Sequence, residues 1–579
     1  MASVHPPPPG NKVCVVGAGP IGLVTIKNLT EQGLAVTAFE RDGGFGGTWL
    51  QSEVVDKPMA LPTTVFMNGK NGTSYTDFPM GDDYPAQLSA RHLVKYFGEY
   101  ASHFELQQYI VLHTAVIDVR RDEKDTTWLV QTRHMQTGEE TRHAFDRVVI
   151  ACGNFGRKRM RYMEAAHVFA GTVLHSCDVR DTVQYKGKNV LVVGGGPTAV
   201  DYVESLHRNG AATIYISHGG KFRFLPESFR GYLWDDVYTL RTEMIISALA
   251  HMSQIIMFWI FDRIALLMCR LMFPALSFWP SFFDNIPNRQ RQPHVFVFFN
   301  DYFLSIVEQG QVEIKAAFGK FTGPRSVVLA DGEQLDDVDA VIVCSGYHEV
   351  PMPLSGPGIP TDPALSPERS ERLIKSPYYD PKSPFPRLYH GLLSETWPES
   401  LACVGRLSVP RSTMVIYDVA TMALASVWSG KHPLPEQAEM KRVIDARHDF
   451  VISVLEKGPI IYTGITLDMS ETYWWWNEAA GTGINERLGS WGLQGWKFWL
   501  TEPILYEMIM DGAFCPAVYR LFETGKGRRA WPGARQTIVR VQQDARRSNR
   551  AWKQKVKREG IKKSRSWGEA LFSLSHWRG

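Results

Sequence analysis

The sequence predicts an α/β fold built from two units of one design, the second inserted in the first, followed by a helical C-terminal extension. Three observations carry that prediction. Two glycine turns, at 17–22 and 194–199, each sit between a short apolar strand and a helical pattern. Two apolar strands of matching pattern, Asp146 to Gly153 and Asp339 to Gly346, close the segments those turns open. The length, 579 residues, is several times that of one core.

The first unit opens with a strand over Lys12 to Val16 that runs into Gly17-Ala18-Gly19-Pro20-Ile21-Gly22. A helical pattern (Leu23, Ile26, Leu29) continues to Gln32, Gly33 ends it, and a strand over Ala35 to Phe39 finishes at Glu40. Gly17 allows the tight turn, Gly19 lets backbone approach a pyrophosphate, and Gly22 permits close helix packing. The helix N-terminus offers free N–H groups and positive dipole to phosphates. Glu40 is placed to accept hydrogen bonds from a ribose 2′-hydroxyl, so this unit reads as a Rossmann-like dinucleotide site.

The pattern recurs. A strand over Asn189 to Val193 leads into Gly194-Gly195-Gly196-Pro197-Thr198-Ala199, a helix carrying Asp201 runs to about His207, and a strand covers Ala212 to Ile216. Gly194, Gly196, Thr198, Ala199 and Asp201 are the candidate cofactor residues of this turn. Where the first unit has an acid, this one has Ser217 and His218, with Lys221 and Arg223 close behind. Hydroxyl and cationic groups accept a 2′-phosphate that a carboxylate would repel, which favours NADP over NAD. Hairpin-like stretches, Trp128 to Phe145 and Ser326 to Leu335, precede the two closing strands.

Composition excludes other classes. An apolar fraction of 44% rules out disorder, and seven scattered cysteines form neither a CxxC pair nor a metal-ligand spacing. No metal is expected, and a reducing compartment is the simplest setting. The N-terminus has a proline run and no apolar stretch of signal-peptide length, so secretion is not expected. The net charge of +3 hides a basic end: residues 525–579 carry +13, leaving −10 for residues 1–524. Nucleic-acid binding is not expected, because no recognised binding fold accompanies that charge.

With two dinucleotide sites and no redox-active CxxC, an enzyme using a flavin and NADPH moves ahead of a disulfide reductase. Further blocks then match a family in order: Glu40-Arg41-Asp42-Gly43-Gly44-Phe45-Gly46-Gly47-Thr48-Trp49, Val65-Phe66-Met67-Asn68-Gly69-Lys70, Tyr75-Thr76-Asp77-Phe78-Pro79, Phe169-Ala170-Gly171-Thr172-Val173-Leu174-His175-Ser176 and Cys344-Ser345-Gly346-Tyr347. Over roughly 10–435 the chain resembles the flavin-containing monooxygenases, the class B flavoprotein monooxygenases. It departs from them at Val179 and Arg180 after His175, at Gly219 in place of the 2′-phosphate arginine, and at Ala420 and Met422.

The resemblance implies FAD on the first turn, contacted by Arg41, Gly47, Thr48, Trp49, Met67, Asn68, Gly69 and Asp77, and NADP on the second. It implies oxygen transfer from O2 through a flavin C4a-hydroperoxide to a small, lipophilic substrate, with Asn68 as the catalytic residue. An Asn-Gly turn is the plain alternative for Asn68-Gly69. His175 is expected to organise NADP and interdomain contacts, or to be a satisfied structural histidine. Baeyer–Villiger oxidation or epoxidation in specialised metabolism are the alternative reactions, and a degenerate membrane-associated FAD/NADP-binding protein is the non-enzyme alternative.

The expected organisation is a flexible N-terminus (1–11), a first FAD part (12–160), an NADP unit (161–346) with an apolar insertion at 235–290, a return to the FAD unit (347–457) and a Trp-rich basic extension (458–579). Met244 to Phe261 lacks Asp, Glu, Lys and Arg for 18 residues, which is borderline for a span. Because it interrupts one unit, a single crossing is not expected; contact with a membrane surface from the cytoplasmic side or an apolar substrate entrance is expected instead, with a buried helical insertion as the plain alternative. A homodimer is a further expectation.

Overall fold

The computed structural model describes residues 10–558 except 53–56, 220–223, 226, 230–231, 253–259, 261–262, 265–266, 268–297, 380, 382–383, 407–410, 457–468, 490–491 and 527. Two Rossmann-like sheets dominate it. The larger has seven strands in the order 388–389, 393–394, 401–403, 147–150, 12–16, 35–39, 110–111, and the smaller has five, in the order 172–175, 340–343, 189–193, 213–217, 313–315, all parallel. All five strands of the smaller sheet lie in sequence between strands 147–150 and 401–403 of the larger. The chain leaves and returns through an antiparallel pair, Phe155–Lys158 with Tyr347–Glu349.

The duplication holds bond by bond. The Gly17 amide donates to the Phe39 carbonyl and that of Gly194 to the Ser217 carbonyl, each at 2.9 Å. An acid before each closing strand anchors the opening strand: Asp146 accepts from the Lys12 amide at 2.9 Å, and Asp339 from that of Asn189 at 2.8 Å. A three-stranded antiparallel sheet precedes each closing strand, at 114–145 and 318–335.

One segment of the resemblance has a role that periodicity did not show. Thr172–His175, inside the Phe169-to-Ser176 block, is an edge strand of the smaller sheet, parallel to Ala340–Val343. Phe169 packs on Phe321 with ring centroids 4.6 Å apart, and a side chain at Gly171 would collide with the Asp339 carbonyl oxygen. That explains the phenylalanine and the glycine by packing.

The C-terminal extension is helical, and much of it is core. Trp475, Trp476, Phe514, Ile538 and Val541 join one apolar core with the helix Pro20–Glu31 and the helix Thr413–Trp428. Each such buried large side chain contributes roughly 1.5–3 kcal/mol. Arg520, only 2% exposed, donates to Asn28 Oδ1 at 2.9 Å, Thr76 Oγ1 at 3.0 Å and Glu31 at 3.1 Å, and pairs with Asp77 at 3.2 Å. Within the basic end at 525–579, Arg528 is buried and donates to the Gly481, Thr482 and Phe522 carbonyls.

The expectation of membrane association is corrected. Among the described residues no helix is long and apolar enough to cross a membrane. The helix Leu240–Met252 is docked on the protein instead: Arg241 pairs with Asp511, Glu243 with the buried Arg411, and Met244 packs on the main core. Most of the remaining apolar stretch, through 283, lies outside the described residues.

Candidate functional site

Each glycine turn exposes a helix start with no side-chain cap. The helix Pro20–Glu31 begins at Gly19 and the helix Pro197–Arg208 at Gly196; each has proline in its first turn and no acidic residue there. Their first amides, with the dipole behind them, therefore remain available to an anion. Gly17 has φ of +100° and Gly194 +147°, and a side chain on either would press into the closing strand, at Ala151 or Cys344. A Cβ at Gly196 would meet nothing within 4 Å, so the second turn faces open space. The donors and the room fit two dinucleotides.

Glu40 does more than wait for a ribose. Its carboxylate accepts from the Ala18 amide at 2.7 Å and the Asp42 amide at 3.0 Å, tying the end of strand Ala35–Phe39 to the glycine turn. Burial raises its pKa, and the two amide bonds offset part of that rise. Gly46 and Gly47 close over the first turn: the Gly46 amide donates to the Ala18 carbonyl, and the Gly47 Cα would lie 3.5 Å from a Cβ on Gly19. Thr48 accepts from the Ala60 amide through its carbonyl at 2.8 Å, and the Trp49 ring meets Phe66 edge-on at 5.4 Å. Arg41 is exposed beside this loop.

The strand Val65–Gly69 carries Phe66, Met67, Asn68 and Gly69, so Asn68-Gly69 ends a strand and is not a hairpin turn. Thr64, just before it, donates to Asp201 on the second helix at 3.2 Å, while Phe66 touches Trp49 in the first unit's loop. This short segment thereby spans the two glycine turns. The Asn68 amide donates to Asp235 Oδ1 and the Gly69 amide to Asp235 Oδ2, each at 2.7 Å. Asp235 comes from the start of the inserted segment, and nothing local in the sequence marks it except two consecutive acids, Asp235 and Asp236, at the head of an apolar stretch.

Other expected site residues are placed elsewhere. Asp77 is buried against Lys27 and Arg520, and Lys27 lies about 10 Å along its helix from Pro20. It braces that helix. Ser217 is fully buried, and its hydroxyl donates to the Ala316 carbonyl at 2.6 Å. Asp201 is a strut to Thr64. Ala199 is fully buried in the second unit's core, and Thr198 is partly buried beside it. Lys221 and Arg223 lie outside the described residues.

His175 is a satisfied buried histidine. Its Nδ1 accepts from the Cys177 amide at 3.1 Å, which places the proton on Nε2, where it donates to the Gly346 carbonyl at 3.1 Å. Val179 packs with Leu61 of the first unit, and Arg180 donates to the Lys57 carbonyl, so both departures from the family pattern lie at the junction of the units.

Residues 10–355 match the family model described as flavin-binding monooxygenase-like. Over 536 residues the chain is 30% identical to monooxygenase aurF of Gibberella zeae, covering 93% of this chain and 98% of that protein. It is 25% identical over 550 residues to flavin-containing monooxygenase 5 of Mus musculus, covering 93% and 92%. Among solved structures it is similar in fold to S-allyl-L-cysteine S-oxygenase from Allium sativum, with TM-score 0.56, 18% identity and coverage of 86% and 95%. It is likewise similar to OTEMO in complex with FAD and NADP, with TM-score 0.55, 15% identity and coverage of 78% and 93%.

Proposed function

The chain belongs to the flavin-binding monooxygenase-like family, and from that premise we propose that it transfers one oxygen atom from O2 to a small lipophilic molecule, using FAD and NADPH. The observation that supports the reading best is the segment Thr64–Gly69, which touches the elements of both glycine turns and carries Asn68 between them.

Bound FAD, reduced by NADPH, supplies the activation of O2, one atom going to substrate and the other leaving as water. The amides at the start of helix Pro20–Glu31 hold the FAD pyrophosphate, and those at the start of helix Pro197–Arg208 hold that of NADPH. Glu40 fixes the first turn and accepts from the ribose. Asn68 presents its amide to the reacting oxygen and to the nicotinamide cofactor. Around it, Trp49, Phe66 and Leu233 exclude water and give an apolar substrate its contacts.

The test is incubation with NADPH, O2 and candidate lipophilic amines, sulfides and ketones, read by mass spectrometry for one added oxygen atom. Asn68→Ala is expected to keep FAD and to lower product at least about 100-fold, the order that loss of one well-placed donor to a reacting oxygen costs. Unchanged product would refute the role of Asn68. A yellow protein that NADPH never bleaches would refute catalysis and favour a cofactor-binding protein.

A further inference from the structure

We infer that Asp235 is a positioning residue that fixes which way round the Asn68 side-chain amide points, so that the inserted segment completes the reacting face of the first unit. The inference rests on Asn68 acting at the reacting group, as proposed above.

A primary amide has nearly the same shape when turned by 180°, but the turn exchanges a donor for an acceptor. What lies opposite decides the orientation. The Gly69 amide can only donate, and it takes Asp235 Oδ2; the other carboxylate oxygen accepts from Asn68 Nδ2. A carboxylate offers no donor, so the inverted amide would set oxygen against oxygen. Asn68 Oδ1 and the second Nδ2 hydrogen are thereby left for cofactor and oxygen.

The approach is built into the backbone of the first unit. A Cβ on Gly72 would lie 2.6 Å from Asp235 Oδ2, and one on Gly69 would lie 2.6 Å from Leu233 Cδ1. Glycine at both positions makes room for the inserted segment to reach Asn68. Asp236 accepts from the Leu233 amide at 3.0 Å and holds the turn that delivers Asp235, and the buried Arg411 supplies a nearby positive charge. Burial raises the pKa of Asp235, while the Asn68 and Gly69 bonds favour its ionised form.

The holoenzyme variant Asp235→Asn tests the lock. Its new carbonyl takes the Gly69 donor, its amino group faces Asn68, and Asn68 must invert. FAD content and NADPH oxidation are expected to persist, while product per NADPH falls by about tenfold or more, with the balance released as hydrogen peroxide. A purely structural acid would lower the thermal midpoint and leave that ratio alone, which would overturn the inference.

Exchange of the pair gives a readout that does not depend on turnover. Asn68→Asp alone opposes two carboxylates and should lower the thermal midpoint of the holoprotein; adding Asp235→Asn re-forms the bond and should restore most of it. Additive losses would overturn the lock, and the exchange pair decides the matter even where Asp235→Asn alone does not accumulate folded. If Asn68→Ala leaves product intact while the midpoints are non-additive, the reading of Asn68 fails and the lock stands. If Asn68→Ala abolishes product and the midpoints are additive, the reading stands and the lock fails.

Discussion

The two glycine turns share a hydrogen-bond plan and differ in what closes over them. At the first, Glu40 grips the Ala18 amide and the Gly46-Gly47 loop packs on Gly19. At the second, Ser217 turns inward to Ala316, and nothing lies within 4 Å of a Cβ on Gly196. The helix packing differs as well: Gly22 leaves no room for a side chain beside the Gly17 carbonyl, whereas the second turn buries Ala199 at the corresponding position. A tight, covered turn suits a resident cofactor and an open one suits a cofactor that exchanges at each turnover. That division follows from the proposed reaction, in which FAD stays and NADPH is consumed.

The comparison breaks most sharply at Gly22. In Gly22→Ala the added methyl collides with a backbone oxygen that cannot move without opening the turn. Loss of bound FAD is expected, read as the ratio of flavin to protein absorbance after purification; stoichiometric flavin would show that the turn is looser than its geometry. A smaller effect is expected at the open turn. Gly196→Ala adds a methyl that touches no protein atom, so fold and FAD content should persist while NADPH affinity falls by about tenfold, roughly 1.4 kcal/mol. The rate of flavin bleaching against NADPH concentration reads this, and an unchanged half-saturation point would place the dinucleotide elsewhere.

The strands and glycine turns were legible because their signal is local: alternating burial, glycine at fixed spacing and a helix behind. Lys12–Val16, Ala35–Phe39 and Asn189–Val193 lie where the pattern puts them. What escaped depends on distance along the chain. Asn68 and Asp235 are 167 residues apart, and Arg520 meets Asn28 across 492. Asp77 stood inside a recognisable block, yet its partners, Lys27 and Arg520, come from a helix face and from the extension, and no periodicity reports them. Formal charge likewise does not say where an arginine sits: Arg528, in the basic end, is buried and donates to three backbone carbonyls.

Ser217 gives the finest test of the difference between the turns. Its position after the second strand suggested a hydroxyl for the 2′-phosphate, but the structure seals that hydroxyl from solvent and gives it to the Ala316 carbonyl. Ser217→Ala therefore removes a buried donor and leaves one carbonyl without it, a cost of about 1 kcal/mol in stability. Cofactor preference should hardly change: the ratio of NADPH to NADH efficiency is expected to stay within about twofold, since less than ~0.5 kcal/mol of binding is involved. A loss of NADPH preference of tenfold or more would mean that Ser217 turns outward when cofactor binds. It would also mean that the second turn is as closely fitted to its dinucleotide as the first.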